Sequence, residues 1–291
     1  RVVEYVSTLD VLSNGRVEFG TGGGSSVYQT DAFGVPEEES KAVWEESLRV
    51  ICSMFMNDPF PGFKGKYYDL PKRDIVPKPI QKPHPPLWVT ATQPSTFAQA
   101  ARMGIGCLAF TAIEPRDLIP AIQAYKEAAK ECQPVGGYAN HKAGGFAICN
   151  IDKNYTVGRD KACAAARFYF GDNDIPLQKI RFGTHQKGKD NVYYTQEESG
   201  QKGGILEFML KRSNEDLIRE GIVIGGDVDS VCRGIEKWMN VGFDQLLLMI
   251  QAGNTTHDEV MRALDLLGSK VLPKFQEAKP IPAVHTKASG S

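Results

Sequence analysis

The stretch TLDVLSNGRVEFGTGGG, Thr8 to Gly24, decides how this chain is read. Val2, Val3, Val6, Leu9 and Val11 keep helical spacing and Ser13-Asn14-Gly15 stops them, so the stretch opens on the last turns of a helix. Arg16 to Thr21 then reads as a strand running straight into Gly22, Gly23 and Gly24. A strand whose C-terminal end opens into a loop without side chains is where α/β proteins place ligands, because backbone there can approach a phosphate or a planar ring closely.

Outward from that stretch the pattern alternates. Pro36-Glu37-Glu38-Glu39 sets a rigid first turn with acids at the positive helix end, and Trp44, Leu48, Ile51 and Phe55 follow at helical spacing. Residues 57–86 hold many prolines and no helical period, and they lead into the apolar run Leu87 to Ala91, a short buried strand. Ser95 to Arg102 reads as helix, Ile105 to Phe110 as strand, Pro115 to Cys132 as helix, Gly144 to Ile151 as strand and Thr156 to Phe170 as helix. After a polar stretch at 172–213, a helix over Asp229 to Asn240, a strand over Gln245 to Ile250 and a helix over His257 to Phe275 complete the series. Strands near residues 16, 87, 105, 145 and 245, each followed by a helix or long loop, imply parallel strands with helices packed outside. A closed barrel of that kind needs eight.

With 291 residues, 42% hydrophobic and 24% charged, the chain has the composition of a globular protein with a sizeable core. Its 34 Lys and Arg nearly balance its 35 Asp and Glu, which removes the electrostatic reason to expect nucleic acid or an anionic membrane as partner. No apolar run approaches the roughly 20 residues that span a bilayer. The six cysteines are scattered singly, away from any histidine cluster, so they read as reduced structural thiols of a cytoplasmic protein with no metal site.

Three turns could carry chemistry. Gly20-Thr21-Gly22-Gly23-Gly24-Ser25 resembles a dinucleotide fingerprint, but Ser25 takes the third glycine position and no helix follows, which leaves a ligand loop or a plain surface turn. Thr90 to Thr96 joins a strand to a helix. Ser95 or Thr96 is expected to cap that helix, and Thr92 and Gln93 add polar groups to its free first-turn amides, which makes a phosphate cradle or an ordinary N-cap. Ile250 to Asn254 offers amides to a ring edge, a weaker signal. Among the histidines, His84 lies in the proline segment, His257 starts a helix and His285 is in the tail, so His185 is the one placed to approach a substrate.

These same residues, with AFGVPEEESKAVWEESLRVI, GKYYDL, VPKPIQKPHPPLWVTAT and GFDQLLLMIQAGNTTHDEVMRALDLLGSKVLPKF, resemble the bacterial luciferase-like flavin-dependent monooxygenase family from the first residue to about Phe275. The resemblance implies an α/β fold, a (β/α)8 TIM barrel that binds reduced FMN, or in some branches a deazaflavin, at its C-terminal face. It places Gly22 and Gly23 beside the flavin and Thr92, Gln93, Ser95 and Thr96 at its phosphate. Where luciferase has a reactive cysteine and then a phosphate-binding arginine, this chain has Gly22 and Gly23, so light emission is not expected and the phosphate needs other partners. The resemblance also implies that the first three barrel strands, and the histidine regarded as catalytic base, belong to a segment this chain lacks. The expectation is a truncated record of a longer protein, and no catalytic residue is assigned.

The domain reading is one partial barrel over 1–277 with a lid at 172–213 and a flexible tail at 278–291. The functional reading is a two-component monooxygenase. A separate flavin reductase supplies reduced FMN, and dioxygen then oxidises a small hydrophobic or carbonyl substrate, with Phe110, Thr111 and His185 expected to line its pocket. Two alternatives remain, a deazaflavin-dependent dehydrogenase and a flavin-binding protein without turnover. A homodimer is expected, by analogy with relatives that pair through helices near the glycine-rich strand.

Overall fold

The computed structural model describes residues 1–24, 32–91, 93–109, 112–170 and 209–275. Helix α1, Val2–Leu12, buries Val3, Val6, Ser7 and Asp10 on one side. Asn14 and Gly15 both take positive φ, 56° and 76°, and Gly15 N–H donates to the Asp10 carbonyl at 2.8 Å, so the chain reverses tightly. The following strand is shorter than the sequence suggests: β1 is Phe19–Thr21 only. Arg16 is still engaged with the turn, its amide on the Ser13 hydroxyl at 3.2 Å and its Nε on the Ser13 carbonyl at 2.8 Å, and cannot extend. The glutamate run is a separate 3-10 turn, Glu37–Glu39, ahead of helix α2, Ser40–Met56, which has no acid in its own first turn.

The proline segment carries a two-residue hairpin that its sequence did not announce, β2 (Phe63–Lys64) paired with β3 (Asp69–Leu70). Glu46 of α2 holds its turn, accepting the amides of Lys66, Tyr67 and Tyr68 at 3.0, 2.8 and 2.9 Å. Burial pushes that carboxyl up, but the three amides outweigh it and hold the group below the usual carboxylate value. Further along, Gln81 donates from its backbone and side chain to the buried Asp10 carboxylate, at 2.9 and 2.7 Å, and ties the segment to α1. His84 is buried, accepts the Gly137 amide at Nε2 (2.9 Å) and stacks on Tyr138 at 4.8 Å between centroids. Since Gly137 N–H can only donate, Nε2 is unprotonated and Nδ1–H donates to the Pro85 carbonyl at 2.8 Å.

From there the expected alternation holds. Strand β4, Leu87–Ala91, is followed by α3, Pro94–Arg102, then β5, Gly106–Ala109, and α4, Ile119–Ala128, which 3-10 turns extend on both sides. Strand β6, Ala143–Ile151, leads into α5, Tyr155–Phe170. Beyond residue 208 come α6, Asn214–Glu220, and a strand absent from the sequence reading, β7, Ile224–Gly226. Helix α7, Val228–Met239, strand β8, Gln245–Met249, and α8, His257–Leu266, follow. The last helix was expected to run to Phe275, but it loosens into a π turn at Leu267–Val271 and a 3-10 turn at Leu272–Lys274, where Pro273 supplies no amide.

All pairings between these strands are parallel, in the order β1, β4, β5, β6, with β6 then meeting β8 along Gly144–Ile148 and β7 along Cys149–Ile151. Side chains alternate between two faces. Val89, Cys107, Ala109, Ala147 and Cys149 face the helices and join Leu118, Ile122, Ile235 and Trp238 in the main core. Trp88, Leu108 and Leu247 point the other way. On that face a Cβ at Gly106 would lie 2.6 Å from the Trp88 ring and one at Gly144 would lie 2.5 Å from Leu108, so glycine lets the neighbouring strand's side chain lie across it. The result is a parallel curled sheet with helices outside, an α/β partial TIM barrel whose edge strand β1 pairs with β4 alone among the described residues.

Candidate functional site

Parallel pairing puts all strand C-termini on one side of the sheet. The register Thr21↔Val89 therefore sets the Gly22–Gly24 turn beside the turn that follows Ala91. Gly22 is open: a Cβ there would meet nothing within 4 Å. At Gly23 a Cβ would stand 3.4 Å from the Ser40 carbonyl, so this glycine lies against the start of α2.

In the second turn the capping expectation is corrected. The N-cap of α3 is Gln93, with no side-chain cap, and Pro94, Ser95 and Thr96 are the first helical residues. Pro94 has no N–H, and the amides of Thr96 and Phe97 both donate to the Gln93 carbonyl, at 3.0 and 3.1 Å. What remains outward is the Ser95 amide and the hydroxyls of the exposed Ser95 and half-buried Thr96. The cradle is thus leaner in backbone donors than its sequence suggests, because proline occupies the position where a free amide was expected. Thr92, Phe110, Thr111 and His185 lie outside the described residues. So does the expected lid except for 209–213, where Met209 is buried and Ser213 caps α6 by accepting the Asp216 amide at 3.1 Å. The tail at 278–291 lies outside them too. The third turn, after β8, is closed on itself by the Thr255 hydroxyl donating to the Ala252 carbonyl at 2.8 Å.

One constellation escaped the sequence reading. A cavity of about 620 Å³ opens at the glycine turn and runs between β1 and α2, lined by Phe19, Trp44, Ser47, Leu48, Ile51 and Tyr68 among others. Trp44 Nε1 donates to the Thr21 hydroxyl at 3.1 Å, which in turn donates to the Trp88 carbonyl at 3.1 Å. Ser47 Oγ and Tyr68 Oη are 2.8 Å apart. The signal was available in part: Ser40, Val43, Trp44, Ser47, Leu48 and Ile51 recur at helical spacing on one face of α2. Tyr68 could not be placed beside them, because its position depends on Glu46 gripping the hairpin turn.

The cysteines take no part. Five of the six are buried, and burial pushes the Cys52, Cys149 and Cys163 thiols up to about 12, which keeps them protonated and inert.

The profile of the family described as luciferase-like monooxygenase matches residues 1–245. The chain belongs to that family. Alkanal monooxygenase alpha chain of Aliivibrio fischeri is 31% identical over 286 residues, which make up 96% of this chain and 76% of that protein. F420-dependent glucose-6-phosphate dehydrogenase of Amycolatopsis mediterranei (strain U-32) is 23% identical over 282 residues, 94% of this chain and 74% of that protein. Among solved structures, the oxygenating constituent of 3,6-diketocamphane monooxygenase from the CAM plasmid of Pseudomonas putida, in complex with FMN, superposes with a TM-score of 0.69. It is 16% identical over 94% of this chain and 75% of that one. This luciferase-like chain therefore has relatives named for FMN and for F420, and a flavin-type cofactor is common to both branches. Among its described residues no helix is long and apolar enough to cross a membrane.

Proposed function

We propose that this luciferase-like protein is the oxygenase of a two-component flavin-dependent monooxygenase, acting on a small hydrophobic or carbonyl substrate. The observation that carries the reading is the pairing of an open glycine turn with a hydroxyl-bearing helix start on the same side of a parallel sheet, in a member of this family. The residues suit a flavin. Gly22 leaves room for a ring at van der Waals distance, and the Ser95 amide with the Ser95 and Thr96 hydroxyls offers donors to a phosphate. Gln93, half-buried at the N-cap, adds a side-chain amide that can orient the bound group. Bound FMN would supply the activation of dioxygen, while the chain binds, orients and excludes water.

The word "oxygenating" in the name of the FMN-bound structure supports a separate flavin reductase as partner. We take the chain as one barrel domain over 1–277, in a cytoplasmic homodimer. A deazaflavin-dependent dehydrogenase is the second reading, and the likeness to the F420-dependent dehydrogenase supports it.

Titration of the protein with FMN and with F420 separates the readings, followed by oxygen uptake with enzymatically reduced FMN. FMN binding with substrate-dependent oxygen uptake is expected. Preference for F420 with no oxygen uptake would establish the second reading instead. Gly22→Leu should fold normally, since an added Cβ meets nothing within 4 Å and the turn is open there, and weaken FMN by about tenfold or more. Unchanged FMN affinity in that variant removes the glycine turn from the site.

A further inference from the structure

We propose that Thr21 and Trp44 are positioning residues, which together hold the glycine turn in the open shape that receives a planar ring. The identity of that ring rests on the flavin reading; the holding of the turn does not. Gly20-Thr21-Gly22-Gly23-Gly24 carries one side chain in five residues. Such a run lets backbone approach a ligand closely, and for the same reason it has the most conformational freedom to lose when the ligand arrives. A Cβ at Gly20 or at Gly22 would meet nothing within 4 Å, so no neighbour packs against either residue on that side. Affinity for a ring then depends on something else fixing the turn in advance.

Thr21 is the only side chain through which that can be done. Its hydroxyl has one proton, which it gives to the Trp88 carbonyl of β4 at 3.1 Å, and it accepts Trp44 Nε1–H of α2 at 3.1 Å. The residue before Gly22 is thereby tied to the neighbouring strand and to the helix at once. On the other side of Gly22, a Cβ at Gly23 would stand 3.6 Å from the Trp44 Cβ, so the same tryptophan lies against the turn a second time. Trp44 thus braces the residues on both sides of Gly22 and leaves Gly22 itself open. With its proton committed, the Thr21 hydroxyl has none to donate to a ligand, so it acts through the glycines that follow it.

Nitrogen-15 relaxation of the full chain, labelled at glycine and free of flavin, reads the turn directly. Thr21→Val keeps the shape of the side chain and removes the hydroxyl; Trp44→Phe keeps a ring against Gly23 and removes the N–H. In the parent protein Gly22 and Gly23 should show order parameters near those of rigid backbone, about 0.85, and in both variants they should fall below about 0.6. Gly144 and Gly145 of β6 should stay rigid throughout, which sets a loosened turn apart from a general loss of fold. In FMN titrations of the same proteins each variant should bind about fivefold more weakly than the parent. The double variant should be no weaker than Thr21→Val alone, because both bonds meet at one hydroxyl. Thr21→Ser, which keeps that hydroxyl, should bind within about twofold of the parent. Glycines already mobile in the parent, glycines still rigid in either variant, or unchanged FMN affinity in either variant overturns the proposal. A parent protein that does not bind FMN at all overturns the flavin reading instead, and the order parameters then decide alone whether Thr21 and Trp44 hold the turn.

Discussion

At the scale of single residues, His84 makes the sharpest case. Burial holds its pKa below the usual histidine value, with the Pro85 carbonyl opposing that shift, and its Nε2 lone pair is committed to Gly137. Protonation would break that bond and leave a cation against Phe55 and Tyr138. Because the folded value lies below the unfolded value of 6.5, the unfolded chain takes up the proton first. The stabilisation is complete above 6.5 and is lost as pH falls through that value toward the folded one. Denaturant midpoints measured from pH 8 to pH 5 should fall toward acid. His84→Ala should cost about 3 kcal/mol at neutral pH and flatten that slope. His141, also lowered by burial, contributes a slope in the same direction that persists in the variant. A pH-independent midpoint in the parent protein would contradict the assignment.

At the scale of elements, what was legible depended on length and period. Strands β4, β5, β6 and β8 stood out between helical patterns, and α2 declared itself by the spacing of Trp44, Leu48, Ile51 and Phe55. Strand β7 did not, since Ile224-Gly225-Gly226 is three residues long with two glycines and carries no alternation. The hairpin at 63–70 failed for the same reason, with two residues per strand. The shared side of the glycine turn and the Gln93 turn could be read because parallel strands leave no other arrangement. The cavity could not, because Tyr68 reaches α2 through contacts about twenty residues apart in sequence, those of Glu46 with the 66–68 amides and of Ser47 with the Tyr68 hydroxyl. The start of helix α8 at His257 was read correctly, though its cap was not named. Helix α8 has a complete capping box, with the Thr256 hydroxyl accepting the Glu259 amide and the Glu259 carboxylate accepting the Thr256 amide. Thr256→Ala should therefore cost about 1 kcal/mol in equilibrium unfolding, and no loss would mean that α8 is held by packing alone.

At the scale of the whole molecule, β6 is the strand that everything else depends on. It meets β5 at Ala143–Gly144, β8 along Gly144–Ile148 and β7 along Cys149–Ile151, partners drawn from distant parts of the chain. Its two faces also contribute to both large core clusters, Ala147 and Cys149 to one and Ile148 to the other. The two portions flanking residues 171–208 are consequently stitched by backbone ladders and shared apolar packing and not by covalent continuity alone. Cutting the chain once in that interval should leave a nicked particle whose pieces co-elute in native gel filtration and part only in denaturant. Pieces that separate spontaneously would show that the ladder is too weak to hold them. A junction of this sort also means the protein could be expressed as two complementing fragments, split after residue 170, that find each other in solution and restore the sheet.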